Sequence, residues 1–241
     1  MESQMHRQVS FFGRFQHYLR EFVYGGIDGA VTTFAVVAGA VGANLDTSII
    51  LILGFANLLA DGFSMSVGAY LSAKSEKENY QKHRAIEYWE VDNIPEMERE
   101  EVLQIYKAKG FEGELLEKVV DVITADRDRW VDEMMKNELD MIEDSKSPFN
   151  IGLATLISFV LVGFIPLAFY VYDFVFESGI SLFLWTSIGT SVAFVVVGWL
   201  KSYVNQTPVL KSVWETLALG VVAAFVAYLV GDVLDSILIN S

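Results

Sequence analysis

The chain has 241 residues, 53% of them hydrophobic, and a mean hydropathy of +0.38, more apolar than a soluble domain of this size ordinarily is. Its 31 acids against 17 bases leave a net charge of −14, which excludes the basic surface needed to displace phosphate counterions and so excludes nucleic acid as a partner. The absence of cysteine excludes disulfides, thiolate metal sites and cysteine nucleophiles, and the three scattered histidines (His6, His17, His83) do not form a histidine-rich metal site.

In chain order, the stretch FFGRFQHYLREFV alternates aromatics with Arg14, His17 and Arg20, the pattern of an interfacial amphipathic helix. Five almost purely apolar segments follow at 22–43, 48–72, 149–172, 179–200 and 212–231. Each has 20 or more residues, and a helix of that length, at about 1.5 Å per residue, crosses roughly 30 Å of hydrocarbon. The first segment is not read as a signal peptide, because Asp28 interrupts it and a long polar stretch precedes it. The expected fold is therefore all-α, an integral membrane protein with five transmembrane helices and a cytosolic three-helix insert between spans two and three. Its divisions are 1–73 (amphipathic segment and spans one and two), 74–147 (insert) and 148–241 (spans three to five).

Orientation follows from the bases: 3 lie in 1–21, 12 in 74–147 and 2 in 201–211, so the opposite side has none. Excess Lys and Arg mark the cytosolic face, which puts the N-terminus and the insert inside and the C-terminus outside. Within the insert, a first helix continues span two to about Val91. Asp92-Asn93 ahead of Pro95 reads as the N-cap region of a second helix that stops at Gly110. A third helical region covers about 114 to 144, with Thr124 as the place for a break.

Charge in the apolar spans is the most informative feature, since an ionised carboxylate near the bilayer centre costs about 2.5–3.5 kcal/mol. Asp28 and Asp61 therefore need a reason. Met65 lies one helical turn beyond Asp61, and Gly25, Gly29, Gly39 and Gly42 let helices approach closely, including two copies of span one. Near span five, Glu215 lies four residues after Lys211, the spacing of an ion pair. In the insert, 21 acids face 11 bases over 75–147, and most are expected to be solvated. Glu87 with Glu90, and Glu98 with Glu101, present paired carboxylates on one helix face. Glu138 falls on the apolar stripe of Trp130, Met134, Met141 and Ile142, so a carboxylate beside Met134 and Met135 suggests an inward-facing oxygen and sulfur site for a borderline transition metal.

An Asp-Gly first span, the second-span motif ADGFSMSVGAYLS, the Glu-rich insert and three further spans together resemble the vacuolar iron transporter family over about 20–235. The resemblance implies a divalent-metal/proton antiporter, not an enzyme, that moves Fe²⁺, with Mn²⁺ or Co²⁺ as further cargo, out of the cytosol. It also implies a homodimer with its pore between the two first spans and no permanently bound cofactor. By motif, Asp28 and Met65 match the pore positions, and Asp61 is expected to join them in the transport pore; Glu87, Glu90, Glu98, Glu101, Met134, Met135 and Glu138 match the cytosolic metal-binding positions. The chain departs from many members at Ala69, where they carry glutamate. The membrane would be the plasma membrane in a prokaryote and the vacuolar membrane in a eukaryote. Two other readings stand beside this one: an intramembrane aspartyl protease using Asp28 and Asp61, and a membrane metal sensor without transport. A di-iron oxidase is disfavoured because no Glu-x-x-His pair occurs.

Overall fold

A computed structural model describes residues 17–177, 179 and 181–238. Among these residues the structure is helical and contains no strand, so the all-α expectation holds. The helices are α1 Leu19–Gly42, α2 Thr47–Asn93, α3 Pro95–Ala108, α4 Gly113–Thr124, α5 Arg127–Asn137, α6 Pro148–Gly163, α7 Ile165–Phe176, α8 Leu182–Asn205 and α9 Val209–Leu238. Residues 11–16 of the expected amphipathic segment lie outside the described residues. The chain divides into two compact units, 1–71 with 146–241 and 72–145.

In the first unit, α1, α2, α8 and α9 are each long and apolar enough to cross a membrane, and α6 with α7 makes a fifth crossing if the pair is one span. Sequence alone reads 149–172 as one span, whereas the structure divides it into α6 and α7, bent by 49° from one another. The bend falls at Phe164, just before Pro166, whose ring lacks an N–H and clashes with the preceding turn. The Thr186 hydroxyl of α8 donates to the Pro166 carbonyl at 3.3 Å.

Helix α1 is the centre of this unit, burying Val23, Ala30, Phe34, Val37 and Ala38 against α6, α8 and α9. Its glycines serve that packing. A Cβ on Gly25 would stand 2.8 Å from the Thr155 carbonyl oxygen of α6, and one on Gly29 would overlap the Phe159 backbone. The close approach expected between two copies of span one is thus made within one chain, because both glycines already face α6. Helix α2 docks through a narrow seam at Ile50, Gly54, Leu58 and Gly62, one residue per turn, and leaves Ile52, Phe55, Leu59 and Phe63 exposed. In lipid such a face costs nothing, which explains why a helix this apolar buries so little of itself.

At one end of the unit, Glu21 and Lys146 form a largely buried ion pair at 2.9 Å, and the Tyr18 hydroxyl accepts from the Ser147 N–H and the Asn150 amide, both at 3.3 Å. Glu215 pairs chiefly with Lys201, at 2.8 Å, rather than with the expected Lys211, at 4.0 Å, because the α8–α9 turn returns Lys201 to it.

The second unit is built from the end of α2 with α3, α4 and α5, around Val91, Val102, Leu116, Val120, Ile123, Trp130, Val131, Met134 and Met135. Pro95 opens α3 as expected, but neither Asp92 nor Asn93 caps it: Asp92 receives the Arg127 guanidinium, and Asn93 donates to the Trp89 carbonyl. Gly110, at φ +94°, takes the left-handed conformation that stops α3. The third helical region is two helices, since Asp126 leaves the helix and its carboxylate caps the Arg129 N–H at 2.8 Å. It also ends at Asn137 rather than near residue 144. The left-handed Asp140 turns the chain, so Ile142, expected on the buried stripe, is 80% exposed.

Gly25→Val is expected to destabilise the folded protein by about 1–3 kcal/mol or more, because the added methyls meet backbone rather than a side chain that can move. Thermal unfolding in detergent measures this; an unchanged midpoint would show that α1 and α6 do not cross at that glycine.

Candidate metal centre and intramembrane carboxylates

The second unit brings together carboxylates from three helices. Glu87 and Glu90 lie on α2, Glu98 and Glu101 on α3, and Glu138 at the C-cap of α5. Glu87, Glu90 and Glu98 each offer an oxygen within 4.8 Å of the others, near enough for one divalent ion to touch all three after small side-chain movements. Glu87 and Glu98 are each only 3% exposed, and one oxygen of each has no hydrogen-bond partner. A buried acceptor without a donor costs free energy that a cation or a proton recovers.

Electrostatics extends the group to five. Burial, then the charges of Glu138, Glu90 and Glu101, pushes the Glu87 carboxyl up to about 7. Glu98 rises to about 8, first through burial and then through Glu101, Glu87, Glu90 and Glu138. Glu138 is also raised, by desolvation first and then by Glu101 and Glu90. The pairs at i, i+3 that spacing singled out thus meet in space. Glu138 differs from expectation: it is exposed at the helix end rather than buried on a stripe, because α5 stops one residue before it. Met134 and Met135 are fully buried in the apolar core.

What sequence reasoning missed is the frame around these groups. Arg127 holds Asp92 at 2.7 Å, Tyr88 donates to Asp128 at 2.8 Å and Arg84 reaches Asp132 at 2.8 Å, tying α5 to α2. Arg99 pairs with Glu117 and Asp121, tying α3 to α4. These acids looked like solvated surface in one dimension because their partners lie 18 to 48 residues away.

In the first unit, Asp28 and Asp61 are both exposed on the protein surface, yet close enough for their charges to interact. Thr32, one turn beyond Asp28, spends its hydroxyl on the Asp28 carbonyl, at 2.9 Å. Met65, one turn from Asp61, is half-buried against the cluster containing Val37, Leu58 and Phe159. Asn57, one turn to the other side of Asp61, has a buried amide nitrogen with no hydrogen-bond partner. The i, i+4 spacing of Asn57, Asp61 and Met65 was a legible signal for it.

Comparison with known proteins supplies the identity of this arrangement. The VIT family model matches residues 19–232. The chain belongs to the VIT family. It is 36% identical over 227 residues to the vacuolar iron transporter of Toxoplasma gondii, covering 90% of this chain and 74% of that one. It is 31% identical over 226 residues to that of Plasmodium falciparum, covering 90% and 82%. It is 32% identical over 211 residues to vacuolar iron transporter 1 of Eucalyptus grandis, covering 87% and 84%. Membership and the apolar helices make the chain a multi-pass membrane protein of a metal-transport family.

If the Glu87, Glu90 and Glu98 group binds divalent metal, the ion must displace protons. Affinity for Mn²⁺ is then expected to climb with pH, with a slope of log affinity approaching about two below pH 7 and flattening above about 8. Without metal, both raised carboxyls contribute stability that is full below their ordinary value of 4.5 and lost as pH rises through 7 to 8. Glu87→Gln should therefore bind metal weakly and show a flatter loss of stability across that window, which calorimetry and thermal melts at several pH values would measure.

Proposed function

We propose that the protein exports Fe²⁺ from the cytosol in exchange for protons, with Mn²⁺ and Co²⁺ as further cargo, and that it works as a homodimer. The observation that carries this reading is the Glu87, Glu90 and Glu98 group, two of whose members are buried carboxyls that each leave one oxygen without a hydrogen-bond partner. In a chain from a family whose relatives are named vacuolar iron transporters, such a group is best understood as a collector of divalent metal.

In this reading α6 and α7 are one bent third span, giving five spans, and residues 74–147 form a cytosolic metal-gathering domain between spans two and three. The distribution of all 17 bases supports that orientation. Glu101 and Glu138 add charge to the collecting group, and Met134 and Met135 supply polarisable sulfur behind it. Asp28, Asp61 and Met65 line the path through the membrane. Exposure of two carboxylates on apolar helices supports the homodimer, since a second copy would cover them and remove the cost of leaving them in lipid. Asp28 binds metal when ionised and releases it when protonated, and this competition at one carboxylate is the simplest basis for antiport. The membrane is vacuolar if the source is eukaryotic and the plasma membrane if it is prokaryotic.

Metal uptake into proteoliposomes under an imposed pH gradient tests the path. Asp28→Ala should abolish both flux and proton coupling, while Met65→Ala should keep coupling and lose discrimination against Mg²⁺. Wild-type flux through a correctly inserted Asp28→Ala dimer would sink the assignment. Topology has its own check in this cysteine-free chain: a cysteine at Ser75 should label from the cytosolic side and one at Ser236 from the opposite side, and the reverse pattern would overturn the orientation.

A further inference from the structure

Glu133 of α5 is not a member of the carboxylate group, yet one of its oxygens gathers three donors. The Tyr106 hydroxyl donates to Oε1 at 2.7 Å, the Lys109 ammonium at 3.3 Å and the Asn137 amide at 2.6 Å. Lys109 also donates to the Asn137 side-chain oxygen at 2.8 Å and sits 4.3 Å from the centre of the Tyr106 ring. Four side chains thus close a network between the end of α3 and the last turns of α5.

Its position matters because of what α5 carries. Asn137 is the final residue of α5 and Glu138 follows directly, with its N–H on the Met134 carbonyl at 3.0 Å. The Glu138 carboxylate is repelled by Glu90 and Glu101, and it repels Glu87 and Glu98 in turn. Where these carboxyls are ionised and no metal neutralises them, that repulsion opposes holding the end of α5 beside α2 and α3. Two ion pairs, through Arg127 and Asp132, and the Tyr88–Asp128 hydrogen bond tie the first half of α5 to α2. Beyond Asp132, among the described residues, the polar ties from α5 to another helix are those of Glu133 and Asn137.

The geometry points to Glu133 as a positioning residue of the metal centre, holding the end of α5, and Glu138 with it, against the repulsion of the carboxylates on α2 and α3. This rests on the reading of those carboxylates as a metal site. Glu133 does not touch the ion; it sets where a ligand stands, and partners of that kind are commonly worth 10- to 100-fold in metal affinity.

The test is Co²⁺ binding to the full chain in detergent, followed by calorimetry and by visible absorption, whose bands report coordination geometry. Glu133→Ala should bind about tenfold more weakly and with an altered Co²⁺ spectrum. Glu133→Gln keeps the acceptor oxygen for Tyr106 and Asn137 and should stay close to wild type in both. Glu117→Ala, which also removes one negative charge but belongs to the Arg99 pairs, should change neither. Wild-type affinity and spectrum in Glu133→Ala would overturn the inference. So would equal losses in Glu133→Ala and Glu133→Gln, which would mean the carboxylate acts by charge or as a ligand, or equal losses in Glu133→Ala and Glu117→Ala, which would mean bulk charge. If Glu133→Ala does not fold, Tyr106→Phe removes one tie at smaller cost, and an unchanged affinity and spectrum there would be equally decisive against it. No Co²⁺ binding by the wild type would instead defeat the reading of the centre itself, a result distinct from wild-type binding with an indifferent Glu133→Ala.

Discussion

Repulsion among carboxylates held in one place is the constraint on which the second unit depends. Five of them, from three helices, lie within electrostatic reach of one another, and the two most buried bear the largest upward shifts. An arrangement with that cost persists because other contacts oppose it: an apolar core beneath the group and, around it, ion pairs between α2 and α5 and between α3 and α4. Those surface pairs are individually weak.

The same accounting applies to the first unit with a different solvent. A helix in lipid gains nothing by hiding apolar side chains from its neighbours, so association there relies on close backbone approach and hydrogen bonding. Helix α1 illustrates this, with Gly25 and Gly29 spent on α6 and with α9 crossing at the far end near Gly42 and Gly231. The face of α1 that these crossings leave open carries Tyr24 and Asp28, and the open face of α2 carries Asp61. Polar groups are therefore placed on the surfaces that packing within the chain does not consume. Ala69, one turn beyond Met65 on α2, is half-buried.

Under the proposed function each unit has carboxylates suited to its own part of the work. Buried carboxylates that prefer a proton or a cation suit capture and release of divalent ions, and intramembrane carboxylates suit exchange of such ions for protons. Oxygen donors alone discriminate little among neighbouring divalent metals, and sulfur is the added element that favours transition metals over Mg²⁺.

Composition and periodicity determined the helical class, the number and order of apolar segments, the isolation of the charged block and the pairing of Glu87 with Glu90 and of Glu98 with Glu101. All of these are local properties: they depend on residues a few positions apart, where helical spacing alone sets the geometry. Only the tertiary structure decided that Pro166 bends the third apolar segment, that α5 ends before Glu138, and that Gly25 and Gly29 face α6. It also decided which acids are solvated and which are buried, since Glu98 and Glu117 look alike in sequence and differ because one lies over the core while the other faces Arg99. The physical reason is that burial and ion pairing are set by residues distant in the chain, and a one-dimensional pattern records the charge of a side chain but not the groups that folding places beside it.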